Sequence, residues 1–539
     1  MIKSTTTQAI RKTRRIIIAE FFAKGKQSFR ALGKQINCPK STVHRHLKKT
    51  ASLRDQHPET VLWETKAGEA WLRLMIFAVL YKFGIQHTVG ADALSDFFKM
   101  IRINDHIGVS PGALRTQLNQ MEDLMIGFQG NCERSIPNEK RKVVLAADET
   151  YFGELLILVL MDLSSGYLLL ETIQNDRSFD TWLAQANPRL EALGIKVGHA
   201  ITDRAKALIK LAVDGFDCAP GADVFHEQYG ISRWLGPVLG RHQAKADKRC
   251  EATQKAVNKA SDIDREELEI QHANALSERH EINKAQQNYH TNVLGITDDL
   301  HPFALDDNRS NTGEAVALKL ENRAVAFEVI AAQQGILDKN NALQKFRNQI
   351  VALSSHVSFW WLWVGEILMG LSVDEPTRQW LTGTLLPVVY WHYHRYKTKN
   401  PVQRKRYQEA WQRAVKDFET DSFYLSLPES ELQHWVEWAE WMVRQFHRSS
   451  SAVEGRNGRL SQMYHNGRGL KKKRLMALTV IHNYGQRRSD GSTAAERLFD
   501  TAFPDLFGWV VDNMGELPLP RKARQSALRN PLKLVSVPA

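Results

Sequence analysis

The chain has 539 residues, room for three or four domains of about 150 residues each. It carries 72 Lys and Arg against 60 Asp and Glu, a formal charge of +12, and 43% of it is hydrophobic, so sizeable cores are available and an anionic partner is favoured. Four cysteines (Cys38, Cys132, Cys218, Cys250) lie far apart without a CxxC, which excludes a disulfide framework and a zinc site and fits a reducing compartment.

The apolar stretch 16–22 is too short for a signal peptide and contains Glu20. Residues 357–373 are interrupted by Glu366 and fall short of a membrane span. A cytoplasmic protein working on nucleic acid is therefore expected. Charge distribution sharpens this. Residues 1–50 carry 13 Lys/Arg and one acid, and residues 444–488 carry 11 Lys/Arg and one acid, so two basic regions flank a nearly neutral body.

From the N-terminus, residues 8–49 read as a basic helical module. A short helix over 28–36, a turn at Asn37-Cys38-Pro39 and a helix over 40–49 give a helix-turn-helix pattern. Ser41, Thr42, His44, Arg45 and Lys48 are expected to face DNA, with Ala31, Ile36, Val43 and Leu47 holding the helices together. Residues 60–127 read as a second helical domain and a possible second helix-turn-helix: a buried helix over 71–83, another over 91–101, a turn at 108–112 and a third helix over 113–125. Residues 127–141 read as a linker.

The apolar run 142–147 ends in Asp148, Glu149 and Thr150. Runs over 155–161 and 167–170 follow, separated by turn signals, and read as neighbouring antiparallel strands. Asp148 is expected at the tip of the first strand. An amphipathic helix over 178–193 ends at Gly194, and a strand over 196–202 ends in Asp203 and runs into a helix. Three strands, helix, strand and helix make a mixed α/β core. Residues 241–295 read as a long solvated helix or helical hairpin. The rest of an all-α insertion reaches residue 445 and is dense in tryptophans, expected as helix core, with base stacking by one or two as the sharper alternative.

Ser449-Ser-Ser-Ala-Val-Glu454-Gly-Arg456-Asn457-Gly-Arg459 then opens a late helix, with serines suited to capping. A basic run over 471–474 and a buried helix over 475–484 follow, and residues 489–539 read as a tail without assigned function.

Asp148 and Asp203 at strand ends, with Glu454 on a late helix, have the character of a two-metal phosphoryl-transfer cluster. Oxygen donors suit hard cations, and three gathered carboxylates repel one another without them. Glu149 must face away from Asp148 because neighbours on a strand point to opposite sides. Glu437 and Glu440 are alternatives for the third acid.

These motifs, with Asp223-Val-Phe-His226 as a fourth element matching an Asp/Cys-x-x-His signature, resemble DDE transposases with an RNase H-like core and a large helical insertion before the last acid, of the bacterial insertion-sequence type. The acids stand 55 and 251 residues apart. The resemblance implies an all-α helix-turn-helix region over 1–50, RNase H-like core segments over 142–240 and 446–488, and the insertion between them. It implies Asp148, Asp203 and Glu454 as catalytic ligands of two Mg²⁺, with Mn²⁺ able to substitute. His226, Asp223 and Asn457 become strand-positioning residues, and Arg456 and Arg459 contacts to DNA phosphate. It further implies double-stranded DNA partners (element ends and target), a homodimer or higher oligomer on paired ends, and a nucleoid association. A catalytically inactive relative that only binds DNA, and another RNase H-fold nuclease or resolvase, are the rival expectations.

Overall fold

The computed structural model describes residues 16–17, 20–21, 28–56, 66–137, 139–261, 263–467 and 469–520. These divide into two compact units. The first holds the described residues up to 134 with 462–486 and 502–520, and the second holds 135–461 and 487–501. None of the four cysteines is in a disulfide.

In the first unit, α1 (Phe29–Gln35) is capped by Ser28, whose hydroxyl accepts from the Ala31 N–H at 3.2 Å. Asn37 turns the chain in the left-handed region (φ 51°) before α2 (Lys40–Gln56), which runs on past the expected end at Lys49. A side chain at Gly33 is excluded, because its Cβ would lie 2.5 Å from the Cys38 carbonyl oxygen. Leu32, Val43 and Leu47 pack with Ile17 to form the core of this pair. Ala31, expected in that core, is exposed, one position off the buried face. The expected start of the module, residues 8–15, lies outside the described residues.

Helix α3 (Lys66–Val79) continues through a π-helical turn (Leu80–Gln86), and α4 (Ala91–Met100) and α5 (Pro111–Arg134) follow. The helix expected to be buried over 71–83 is instead amphipathic, with Leu72, Ile76, Phe77 and Leu80 inside and Trp71, Leu74 and Phe83 outside. Most of the expected linker is helix too, since α5 buries Met121, Met125, Phe128 and Cys132 at helical spacing. Residues 462–486 and 502–520 belong to this unit. Arg474 pairs with Glu122 and donates to the Gly84 carbonyl at 2.7 Å, and Arg73 donates to the carbonyls of Val511, Met514 and Gly515. The expected segments 446–488 and 489–539 are therefore divided differently.

The second unit is built on a five-stranded mixed sheet in the order β3-β2-β1-β4-β5. The strands are β1 (Arg141–Phe152), β2 (Leu155–Asp162), β3 (Leu168–Gln174), β4 (Ile195–Thr202) and β5 (Ala219–Ala222). The first three form antiparallel pairs, and β4 and β5 add in parallel. Val143 to Ala147 are buried, as suits a strand covered on both faces. Between strands lie α6 (Phe179–Ala192), capped by Ser178, and the short α7 (Lys206–Lys210).

Helices α8 (Val224–Lys259) and α9 (Arg265–Asp299) form an antiparallel hairpin that starts earlier than the expected residue 241. Gln228 reaches Thr297, Gln243 reaches Asn283 and Arg249 reaches Glu278, which fixes the opposed directions. Then come α10 (Gly313–Gln333), α11 (Ala342–Gly370), α12 (Leu386–Lys397), α13 (Pro401–Glu419) and α14 (Glu429–Arg444). Most of the tryptophans are core: Trp360, Trp363, Trp380, Trp391 and Trp435 are buried, while Trp441 is exposed.

By length and composition α11 is apolar enough to cross a membrane, against expectation, but half of that stretch is buried inside the unit, where the helix packs on β4 and β5. His199 on β4 donates from Nε2 to His356 Nδ1 on α11 (2.9 Å), and His356 Nε2 donates to the Ala222 carbonyl (2.8 Å). The carbonyl can only accept, which assigns both protons. The rings lie so close to β5 that a Cβ at Gly221 would be 2.4 Å from His356.

Both histidines are fully buried, and burial pushes them down, His356 to about 4. His301, His394 and His447 are pushed down in the same way. Each is neutral when folded and gains a proton near pH 6.5 when unfolded, so this stability is present above that pH and is lost as pH falls through about 6.5 towards about 4. At pH 5 the cost is about 2 kcal/mol for His356 alone. Denaturant unfolding of the full chain should show a clearly lower midpoint at pH 5 than at pH 7.5, with a smaller drop in His356→Gln. Equal midpoints for the wild type would contradict the neutral pair.

Candidate functional site

The last parallel pair between β1 and β4 is Ala147 with Thr202, and the next residue on each chain is an acid. Asp148 on β1 and Asp203, the first residue past β4, thus follow this pair at matched register, near enough for the Asp203 charge to act on Asp148. Asp148 is not at a strand tip as expected. Strand β1 continues to Phe152 because β2 still pairs with it, Asp148 opposite Val159. Burial, then the Asp203 charge, pushes the Asp148 carboxyl up to about 7, against the Glu149 N–H bond and the charge of His226. The buried Glu149 carboxylate is paired with Arg177, and burial, then the Asp203 charge, pushes its pKa up against that pairing. Asp203 accepts from the Ala205 N–H at 3.0 Å, and Arg204 between them sits in the left-handed region (φ 68°), a conformation that non-glycine residues seldom adopt.

Asp223 follows β5 and caps α8, its Oδ1 accepting from the N–H groups of Phe225 (2.7 Å) and His226 (3.3 Å). Its Oδ2 accepts from both the N–H and the hydroxyl of Ser450, each at 2.5 Å. Of the serines read as a helix cap, Ser450 docks on this carboxylate, while the Ser449 hydroxyl accepts from the Ser451 N–H at 3.0 Å. Burial would raise the Asp223 pKa, but its contacts with His226, Ser450 and Phe225 outweigh it and hold the group at about 2. His226, on the first turn of α8, has Nδ1 3.8 Å from both Asp223 and Glu454. Asp223 is the chief cause of its pKa rising to about 9, opposed by burial and reinforced by Glu454 and Asp203.

Helix α15 (Ser451–Gly467) brings the third acid. Glu454 lies on its first turn with its side chain 47% exposed, and Asn457, one turn later, donates from Nδ2 to Asp148 Oδ2 at 2.7 Å. Glu437 and Glu440, the alternatives, bond instead to Gln433 and Arg444 of their own helix. Arg456 corrects an expectation. Rather than meeting phosphate, it is buried and makes a two-pronged bond to Glu171 on β3 (2.7 and 2.6 Å). A neighbour on the helix points away from the Glu454–Asn457 face. Arg459 is half-buried, and burial lowers its pKa.

On α2, Ser41, His44, Arg45 and Lys48 are exposed and Thr42 is half-buried, while His46 turns inward. Arg177 and Glu171 were not singled out from sequence, and Ser450 was read only as part of a helix cap. Glu171 had a signal, an acid inside an apolar strand that needs a buried cation.

Among the described residues, Asp223, His226 and Glu454 are the one set whose ligand atoms fall within 4.8 Å of each other. It does not suit a cation. Asp223 is saturated by four hydrogen-bond donors, which leaves its oxygens little to offer a cation. Asp148, Asp203 and Glu454 do not form so tight a set, but they suit a hard cation better. All offer oxygen, none is ion-paired to Lys or Arg among the described residues, and beside them the buried Asn457 Oδ1 has no hydrogen-bond partner.

Removing Arg456 alone strands the Glu171 charge in the interior, so Arg456→Ala should cost about 3–5 kcal/mol. Arg456→Met with Glu171→Leu should recover most of that loss. Denaturant unfolding of the two variants checks this, and equal losses in both would refute a paired role.

Residues 381–526 match a family described as of unknown function (DUF6399). That stretch includes Glu454, Arg456, Asn457 and Arg459 but neither Asp148 nor Asp203. No curated protein and no solved structure matches the chain.

Proposed function

We propose that the chain is a DDE-type DNA transposase with an RNase H-like core, using Asp148, Asp203 and Glu454 to cut element ends and join them to target DNA. The observation that carries this reading is the pair of acids just past the last β1–β4 pair, with α15 delivering Glu454 and Asn457 beside them. The strand order 3-2-1-4-5, antiparallel then parallel, fits an RNase H-like core.

Asp148, Asp203 and Glu454 would hold two Mg²⁺ (or Mn²⁺), which supply a lowered pKa for the attacking hydroxyl or water and charge neutralisation at the leaving oxygen. Asn457 fixes the rotamer of Asp148, and the His226 Nδ1 proton offsets the charge of Glu454 at the rim. In the first step a water oxygen bonds to phosphorus as the bond to the 3′ oxygen breaks, freeing a 3′-hydroxyl. In the second, that hydroxyl attacks a target phosphodiester and expels the target's own 3′ oxygen. Both are in-line displacements, so one set of side chains serves both. The α1–α2 pair reads the repeat at the DNA end, and joining two ends calls for a dimer or larger assembly working on the nucleoid.

Full-length protein with a labelled DNA end carrying the flanking repeat should cut it in Mg²⁺ or Mn²⁺ and transfer it into a plasmid. Asp148→Asn, Asp203→Asn and Glu454→Gln should each lower cleavage on the order of 10³-fold while still binding. Cutting without joining would indicate a nuclease or resolvase. Binding without cutting in either metal would favour a DNA-binding protein whose acids are remnants.

A further inference from the structure

The long helix α8 begins at the candidate site and then leaves it, and its outer face has an unusual make-up. At 3.6 residues per turn, Tyr229, Gly230, Arg233, Gly240, Arg241 and Lys248 share about one third of the helix circumference, on the same side as His226. All six are exposed, while Ile231, Leu235, Leu239, Ala246 and Cys250 bury the opposite side. From Gln228 to Ala246 the helix carries no acid, and the half-buried Asp247 lies at the edge of this face, in line with Tyr229 and next to Lys248. The three cations on this face have no ion-pair partner among the described residues, whereas Arg249 and Arg265 on the same hairpin are paired to Glu278 and Glu269.

The two glycines are the second observation. Gly230 and Gly240 lie inside a helix, where glycine weakens the helix relative to alanine. Neither has a positive φ, and a Cβ at either would meet nothing within 4 Å. Packing gives no reason for them, as it gives none for Gly127, Gly130, Gly455 or Gly458 on other helices, and what sets this pair apart is its place among the exposed cations of one face. A bare backbone on an exposed helix face is what close approach by a ligand requires.

We propose that this face of α8 is a track for the sugar-phosphate backbone of the DNA strand that enters the carboxylate site. Arg233, Arg241 and Lys248 contact phosphates, Gly230 and Gly240 let the strand lie close, and the exposed ring of Tyr229 stacks on a base at the site end. From Tyr229 to Lys248 the helix rises about 28 Å, which spans about eight nucleotides at 3.4 Å each. A second copy of this chain is a poor occupant, because the face would meet its own like charges. The track rests on the DNA reading of the site but not on its being catalytic.

The test uses full-length protein and fluorescence anisotropy, with a duplex and a single strand of the same arbitrary sequence, between about 50 and 200 mM salt. Arg233→Gln/Arg241→Gln/Lys248→Gln should bind on the order of a hundredfold more weakly at the low-salt end, with a salt slope lower by roughly 2 to 3. Lys284→Gln/Lys339→Gln/Lys345→Gln, which removes equal charge elsewhere on the unit, should stay close to wild type. Gly230→Ala/Gly240→Ala should melt higher than wild type yet bind several-fold more weakly, a combination that a purely structural role cannot produce. The loss should be larger on the single strand if the track guides one strand, and equal on both if it cradles duplex. A first triple variant with wild-type affinity and slope on both DNAs overturns the track, whether or not the wild type cuts. Wild type that binds but does not cut rejects catalysis alone.

Discussion

The buried carboxylate of Asp223 sets the geometry on which the site depends. It accepts four hydrogen bonds, two from the first turn of α8 and two from Ser450 at the start of α15, although Ser450 is 227 residues away in the chain. A charge-assisted bond of this kind contributes about 1.5–3 kcal/mol, and an anion so buried tolerates no missing donor. The two helices therefore begin from one shared point. His226 and Glu454, each within a turn of that point, meet at 3.8 Å as a consequence.

Around this tie, several buried acids are paired with arginine. Glu149 has Arg177, Glu171 has Arg456, Glu122 has Arg474 and Asp298 has Arg406. These pairs are the ordinary solution to a buried charge. Asp148, Asp203 and Glu454 lack such a partner among the described residues, and only the imidazolium of His226 stands near Glu454. Burial first, and then the Asp203 charge, pushes the Asp148 carboxyl up to about 7. Asp162 and Asp223, also buried, are held by serine hydroxyls and backbone N–H groups and not by arginine, whereas Asp203 and Glu454 lie exposed to solvent.

Much of this was legible in the sequence, wherever a local pattern carried it. Asp203 ends a strand as read, and the polar 241–295 stretch lies in a helical hairpin. Asp148 was located correctly but as a strand tip, because the apolar run stops at Ala147. The strand persists on the support of β2, a partner that periodicity does not reveal. Strand β5 was missed because Ala-Pro-Gly-Ala has no strand propensity. It is held by β4 and by the His356 bond to Ala222, more than a hundred residues downstream. Arg456 failed for the same reason. Beside Glu454 it looked like a phosphate contact, and only the fold brings Glu171 to it.

The helical insertion is bound into the site more closely than its sequence suggests. Arg448 donates to the carbonyls of Thr297 and Leu300, where α9 ends, and meets His301 Nε2, while its own carbonyl accepts from the Val224 N–H at the start of α8. One residue thus satisfies the open carbonyl end of α9 and the open amide end of α8. Ser450 on Asp223 follows two residues later. The chain that leaves the sheet at Asp223 and returns at Arg448 is closed by backbone and side-chain bonds at the same place. The hairpin and the tryptophan core behind it are in this way part of the frame that holds Glu454, and not a separate domain hung on a complete site.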